Sequence, residues 1–338
     1  MRRNQLLAGI MTAMAAVMPV VNVYVDTAAA SEILTSDEYI QNEANINKTT
    51  ALQNSVKMTD LLSAEASGKN IMFSPTSLNF ALGMIAEGAK GETKEILDDY
   101  LGTNDFAAYA KEYLDKIKAY NTEDESYGYQ SKVKIADAVW VDNGLTLQEE
   151  FKNTVSDSFG AEVEAVDFSA AEKTCDVINS WCDKNTEGLI PKIITPDLIN
   201  DNTGLCLTNS LYFESGWSGE PWKVSDTEES FGKKEKTKYM TCTGDQYYEN
   251  DKATAFGRDY ANGLSFIGIL PNDEGDFNLE DLDIGGLLKS NPEYDEVDCK
   301  MPKLNFETST VLNDMLSSLG LENLFSSNAD FSGIADQN

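Results

Sequence analysis

No histidine stands anywhere in the 338 residues, and that absence removes most familiar catalytic chemistry before any motif is sought. Ser-His-Asp and Cys-His nucleophile systems, HExxH zinc sites and His-based facial triads all need an imidazole that titrates or ligates near neutral pH. Paired carboxylates, a Ser-Lys couple or a bound cofactor remain, but among 57 acidic residues no two stand out as a glycosidase pair. Two stretches come close to a motif. In GMIAEGAK, Gly83 and Gly88 have phosphate-loop spacing, yet Ala89-Lys90 stands where Lys followed by Ser or Thr is required. In NDEGDFNLEDLDIGG, residues 272–286, no register combines alternating ligands with a glycine at the sixth position and a Glu at the twelfth, so it reads as an acidic surface loop. No cofactor and no metal are expected. The five cysteines, Cys175, Cys182, Cys206, Cys242 and Cys299, are odd in number, lack a CxxC spacing and read as small buried hydrophobes, not a disulfide framework. Cys175 and Cys182 lie on one helix face, too far apart for a bridge within that helix.

Charge narrows the partners. Residues 1–30 read as a secretion signal: Arg2 and Arg3, an apolar run from Leu6 to Val21, then Thr27-Ala28-Ala29-Ala30 before Ser31. The run is short of the roughly 20 apolar residues of a membrane span, an uncleaved anchor is the alternative, and no cysteine follows it to carry a lipid. Without these residues the chain has 24 basic against 56 acidic side chains, a net charge of −32. Such a surface repels phosphate backbones and anionic lipid, which excludes nucleic acid and, once the signal is cleaved, membrane as partners. The cluster KKEKTK, Lys233 to Lys238, contains an acid and reads as a solvated loop or strand end.

The elements that must position any site follow from periodicity. Hydrophobic residues make up 41% of the chain, enough for a core, and residues 31–48 form a polar linker before a domain at 49–338. No Pro- or Gly-rich linker interrupts that domain. Leu52, Val56, Met58, Leu61 and Leu62 mark a first helix. NIMF, residues 70–73, is a short apolar run, and Ser74 as cap with Pro75 at the first position opens a helix that is apolar nearly all round and should run through the interior. Gly88 ends it, and a second helix carries Ile96, Leu97 and Leu101. VKIADAVWV, residues 133–141, reads as a strand covered on both faces, AEVEAVDF as an alternating strand, and SAAEKTCDVINSWCDKNTEG as a helix closed by Gly188. In TGLCLTNSLYFESGW, residues 203–217, Leu205, Leu207, Leu211 and Phe213 share one face, with Asn209 in its middle. That amide must find side-chain partners on a neighbouring element, since leaving it unpaired costs about 1 to 3 kcal/mol. FIGILP and a strand over residues 295–308 follow, then a helix on Val311, Leu312, Met315, Leu316 and Leu319. The chain ends on a polar turn whose apolar Phe331 and Ile334 have no element of their own. Early helices followed by irregularly mixed strands and helices predict an α+β domain with mainly antiparallel sheets.

Ordered motifs over about residues 50–335 resemble the serpin family of protease inhibitors. NIMFSPTSLNFALGMIAEGAKGET resembles its N-x-x-F-S-P-x-S start and later G-A-x-G-x-T. INSWCDKNTEGLIPKII, LTNSLYFESGW, MPKLNFET and LSSLGLENLFSSNADFSGI resemble, in order, its later segments. The resemblance implies three mainly antiparallel sheets and about eight or nine helices packed in layers. It also implies a reactive loop that a protease cleaves and that then inserts into the main sheet as a strand, trapping the acylated protease. Such a protein is an inhibitor consumed once, not an enzyme.

Position by position, the resemblance assigns Ser74, Ser77 and Asn209 to a polar cluster under the centre of the main sheet, giving Asn209 its partners. Trp217 falls near the top of that sheet, where insertion begins. The family's histidine on the strand after A-D-F-S-G-I, its reactive loop and its last strands have no counterpart in the 338 residues, so no scissile bond is named. The expectation is an exported, monomeric inhibitor of an extracellular serine or cysteine protease, seen without its C-terminal portion. A non-inhibitory binding or structural protein of the same fold, or an inactive fragment, is the alternative. A secreted carbohydrate-acting enzyme with two carboxylates in a deep cleft is the third class.

Overall fold

The computed structural model describes residues 12–17, 48–66, 70–121, 131–231, 235–244, 246–272, 278–290 and 297–336. The expected linker, apart from Lys48, and most of the segment read as a signal lie outside the described residues. Four strands make the largest sheet: β1 (Thr12–Val17), β2 (Lys132–Asp142), β3 (Glu162–Val166) and β4 (Leu205–Glu214), in the spatial order β1-β4-β2-β3. β2 and β4 are antiparallel over nearly their whole length, from Lys132 opposite Glu214 to Val141 opposite Leu205. β3 runs parallel to β2 because the chain crosses back through a helix between them, and β1 runs parallel to the other edge of β4. This sheet is therefore mixed, with a long antiparallel central pair and two shorter parallel outer pairs.

The smaller sheets follow the antiparallel expectation. β5 (Lys223–Val224), β8 (Tyr239–Gly244) and β12 (Val297–Pro302) form one, with β8 in the middle. β9 (Gln246–Glu249), β10 (Ala253–Asp259) and β11 (Ser265–Pro271) form another around β10, and β6 (Glu229–Phe231) pairs with β7 (Glu235–Thr237), inside the KKEKTK cluster. The strand expected over 295–308 is β12 alone. Its ladder stops at Pro302, which has no N–H to donate. The NIMF run forms no strand.

The helices are α1 (Lys48–Ala66), α2 (Pro75–Gly88), α3 (Gly91–Leu101), α4 (Phe106–Ala119), α5 (Glu149–Ser158), α6 (Ala171–Asn185), α7 (Ile284–Lys289) and α8 (Asn313–Leu316). α2 is the interior helix that its sequence predicts, with Leu78, Phe80, Ala81, Leu82, Met84 and Ile85 all buried. The large sheet divides the core by strand parity. Leu205 and Leu207 of β4 join Val139 and Val141 of β2 in the cluster that contains α2, whereas Cys206, Ala138 and Trp140 face the other way, onto Ile178, Trp181 and Cys182 of α6. On that second face Thr208 Oγ1 accepts from Trp140 Nε1 at 3.0 Å.

The last stretch differs most from its sequence reading. Regular α-helix covers only α8, Val311 is 74% exposed, and Gly320 at φ 87° turns the chain out of helical geometry. Phe331 and Ile334, which lacked an element of their own, are buried in the main core. The turn is tied down by backbone: Lys90 N donates to Asp330 O at 2.9 Å, Gly333 N to Gly88 O at 3.0 Å and Gln148 N to Ile334 O at 2.9 Å. Gly88 is what admits it, since a Cβ there would lie 2.1 Å from Ile334 Cγ1.

Candidate functional site

Period-two alternation puts Asn209 on the α2 side of β4 and Asp137 on the same side of β2, and the register sets the two directly opposite each other. Both are buried. Asn209 Nδ2 donates to Asp137 Oδ1 at 2.8 Å. The pair is only half satisfied: Asp137 Oδ2 and Asn209 Oδ1 have no partner, and neither do the Oγ of Ser77 on α2 or the Oγ of Ser210 on β4. Burial pushes the Asp137 carboxyl up to about 7, against the pull of the hydrogen bond from Asn209.

The expected partners of Asn209 were Ser74 and Ser77, and here the structure differs. Ser74 Oγ accepts from Ser77 N at 3.2 Å and so caps α2. The amide of Asn209 is answered across the strand pair instead, where side chains directly opposite come within about 5 Å. Asp137 was missed although its signal was present. In VKIADAVWV the residues 133, 135, 137, 139 and 141 share a face, and an acid among Val, Ile, Val and Val has to be buried with them.

Trp217 belongs to a different cluster, beyond the end of β4. Its backbone bridges to Tyr260, its ring stacks on that of Tyr260 at 4.3 Å and 20°, and Trp222 and Phe266 meet it edge-on at 5.6 and 5.9 Å. The Arg258 guanidinium lies 5.6 Å from the Trp217 ring and 5.0 Å from that of Trp222, and its Nη2 donates to Glu220 O. Arg258 Nε and Nη1 are buried without a partner. The structure thus joins Ser74 to Ser77 and Asn209 to Asp137, and places Trp217 apart from both.

Among the described residues no group of three or more His, Cys, Asp or Glu side chains is placed to hold a metal ion. A half-open pocket of about 480 Å³ lies between α4 and β2, with Asp115 and Asp157 on its lining. Lys118 holds the Asp115 carboxylate below its ordinary range, the reverse of what a glycosidic general acid needs. Among the described residues no helix is long and apolar enough to cross a membrane. What the polar pair does provide is a buried polar contact between the two longest strands of the largest sheet, which are paired from Lys132 opposite Glu214 to Val141 opposite Leu205.

Comparison with known proteins agrees with this architecture. Residues 50–338 match the family model described as Serpin (serine protease inhibitor). Serpin-ZXA of Oryza sativa subsp. japonica is 30% identical over 296 residues, which cover 81% of this chain and 73% of the rice protein. Neuroserpin of Homo sapiens is 28% identical, covering 83% of this chain and 73% of its own. The solved structure "Cleaved Serpin 42Da" superposes with a TM-score of 0.73 at 25% identity, over 85% of this chain and 80% of that one. A family match over most of the chain, an α+β body of layered sheets and a polar seam in the largest of them lead to one assignment: the chain belongs to the serpin family.

Proposed function

We propose that this chain is the body of an exported, monomeric inhibitor of serine or cysteine endopeptidases that works by cleavage of a reactive loop and insertion of that loop as a strand beside β4. Serpins are for the most part inhibitors and not catalysts, and the family match carries that reading to this chain. The observation that carries the reading is the half-satisfied Asp137–Asn209 pair at the centre of the largest sheet. The pair joins β4 to β2, so it stays in place when a strand enters at the other edge of β4, and a polar side chain of that strand offers Asn209 Oδ1 the partner it lacks.

The edge of β4 supports the same reading. It is lined by β1, which lies within the segment read as a secretion signal. Export that removes residues 1–30 takes β1 from that edge and leaves a row of backbone donors and acceptors for an entering strand. That one of the similar structures is of a cleaved serpin is in keeping with such a cycle.

The test is to incubate the protein, as its cell exports it, with subtilisin-like, trypsin-like and papain-like proteases at equimolar ratio. A complex of summed mass that survives boiling in detergent is expected with at least one. Cleavage of the exported protein by all of the proteases without a complex would favour the non-inhibitory binding protein and overturn the proposal.

A further inference from the structure

Two of the cysteines lie face to face. Cys242 is on the central strand β8 and Cys299 on the neighbouring β12, and the antiparallel register pairs them directly. Directly opposite residues have Cβ atoms about 4.5–5.5 Å apart, at the edge of the roughly 3.5–4.5 Å that a disulfide adopts, and a small shift of rotamer and twist closes the gap. Both thiols are free, and Cys242 is close enough to Cys299 to act on its thiol electrostatically. Cys299 is buried, with its Sγ 3.7 Å from Val297 O, while Cys242 is half-buried and open to a small reagent. The sequence offered no clue to this pair, since Cys242 and Cys299 are far apart along the chain and only the register brings them together.

We propose that Cys242 and Cys299 form a reversible cross-strand disulfide, made by exchange with a low-molecular-weight disulfide such as oxidised glutathione. The half-buried Cys242 is the attacking thiol. Its thiolate displaces one thiol from the small disulfide and forms a mixed disulfide; the Cys299 sulfur then attacks the Cys242 sulfur, gives up its proton, and releases the second small thiol. One small disulfide is reduced to two thiols, and two protein thiols become one protein disulfide. Burial, with Cys242 next in order, pushes the Cys299 thiol up to about 12, so it is a poor first nucleophile; the Arg258 charge nearby acts in the opposite sense and favours its thiolate in the second step.

The bond would join the edge strand β12 to the middle strand of its sheet and close a loop that contains β9, β10, β11 and α7. A clamp on that edge is not needed in a reducing compartment and does not form there. In an oxidising one it fixes β12 to β8 whatever else happens to the large sheet.

The experiment uses the purified, unaltered chain, reduced, freed of reductant and equilibrated with oxidised glutathione, then alkylated, digested without reductant and mapped by mass. The expected product is a peptide pair containing Cys242 and Cys299, lighter than the two reduced peptides by two hydrogens and separated by dithiothreitol. In Cys299→Ser the same treatment is expected to leave Cys242 as a mixed disulfide with glutathione. Recovery of both thiols alkylated, glutathione held on Cys242 of the unaltered chain, or a link between any other pair, such as Cys175 with Cys206, would overturn the proposal.

Discussion

Replacing Asp137 by Asn tests whether the centre of the large sheet carries a buried charge at neutral pH. Asp137 is fully enclosed, and burial raises its carboxyl from 3.8 to about 7. The folded chain therefore holds that proton more tightly than the unfolded chain does. The associated stability is fully present below the unfolded value, about 3.8, and is lost as pH rises through about 7. A shift of about 3 units at 1.36 kcal/mol each amounts to about 4 kcal/mol between the two limits. Asn keeps an oxygen for Asn209 Nδ2, adds a donor for one of the unanswered oxygens and never ionises. Urea unfolding followed by tryptophan fluorescence should find Asp137→Asn more stable than the parent by about 4 kcal/mol at pH 8, with the difference vanishing towards pH 4. Taking the difference between the two chains cancels the rest of the −31 net charge and exposed carboxylates such as Asp115, Asp167 and Glu187. A difference that stays flat with pH, or a variant less stable than the parent at pH 8, would refute the reasoning.

Other perturbations probe the rest of the frame. Gly88→Ala drives a Cβ to 2.1 Å from Ile334 Cγ1 and should cost about 1–3 kcal/mol, Ile334→Ala about 2–5 kcal/mol, and the double variant less than their sum, because the smaller side chain makes room for the added methyl; a double-mutant cycle by denaturant unfolding checks this. Trp217→Ala removes the stack of a half-buried ring on Tyr260 and uncovers one face of Arg258, so a loss of about 1–3 kcal/mol is expected by the same measurement, and an unchanged midpoint would remove Trp217 from the packing of that end.

How far the sequence could be read depends on whether a feature is local. The entry to α2 is local: Ser74, Pro75 and the apolar run behind them specify cap, first turn and burial together. The alternation of β4 is local as well, and it correctly placed Asn209 on a buried face. The partner of Asn209 is not local, because it depends on the register between β2 and β4, and the resemblance drew attention to the serines of α2 instead. Register also hides the Cys242–Cys299 pair. Phe331 and Ile334 look stranded in sequence because the turn that carries them folds onto the end of α2, where Gly88 leaves room for Ile334. β1 lies in a segment whose apolar character reads as an export signal, and its pairing reflects the open edge of β4 more than any strand pattern of its own.

The same substitution at Asp137 also separates two explanations of the polar seam. If the pair existed only to fix the strand register, Asp137→Asn would preserve it and leave protease trapping unchanged, since Asn offers the same geometry. If instead the unanswered atoms of the pair are kept for the strand that enters at the other edge of β4, the variant that answers one of them in the closed sheet at pH 8 must also slow insertion. Trapping would then lose ground to simple cleavage, because an acylated protease that waits longer has more time to hydrolyse its ester. The ratio of trapped complex to cleaved inhibitor is therefore expected to fall in Asp137→Asn at pH 8 and to match the parent near pH 4, where the parent's Asp137 is also neutral. A ratio independent of both residue and pH would assign the seam to register alone.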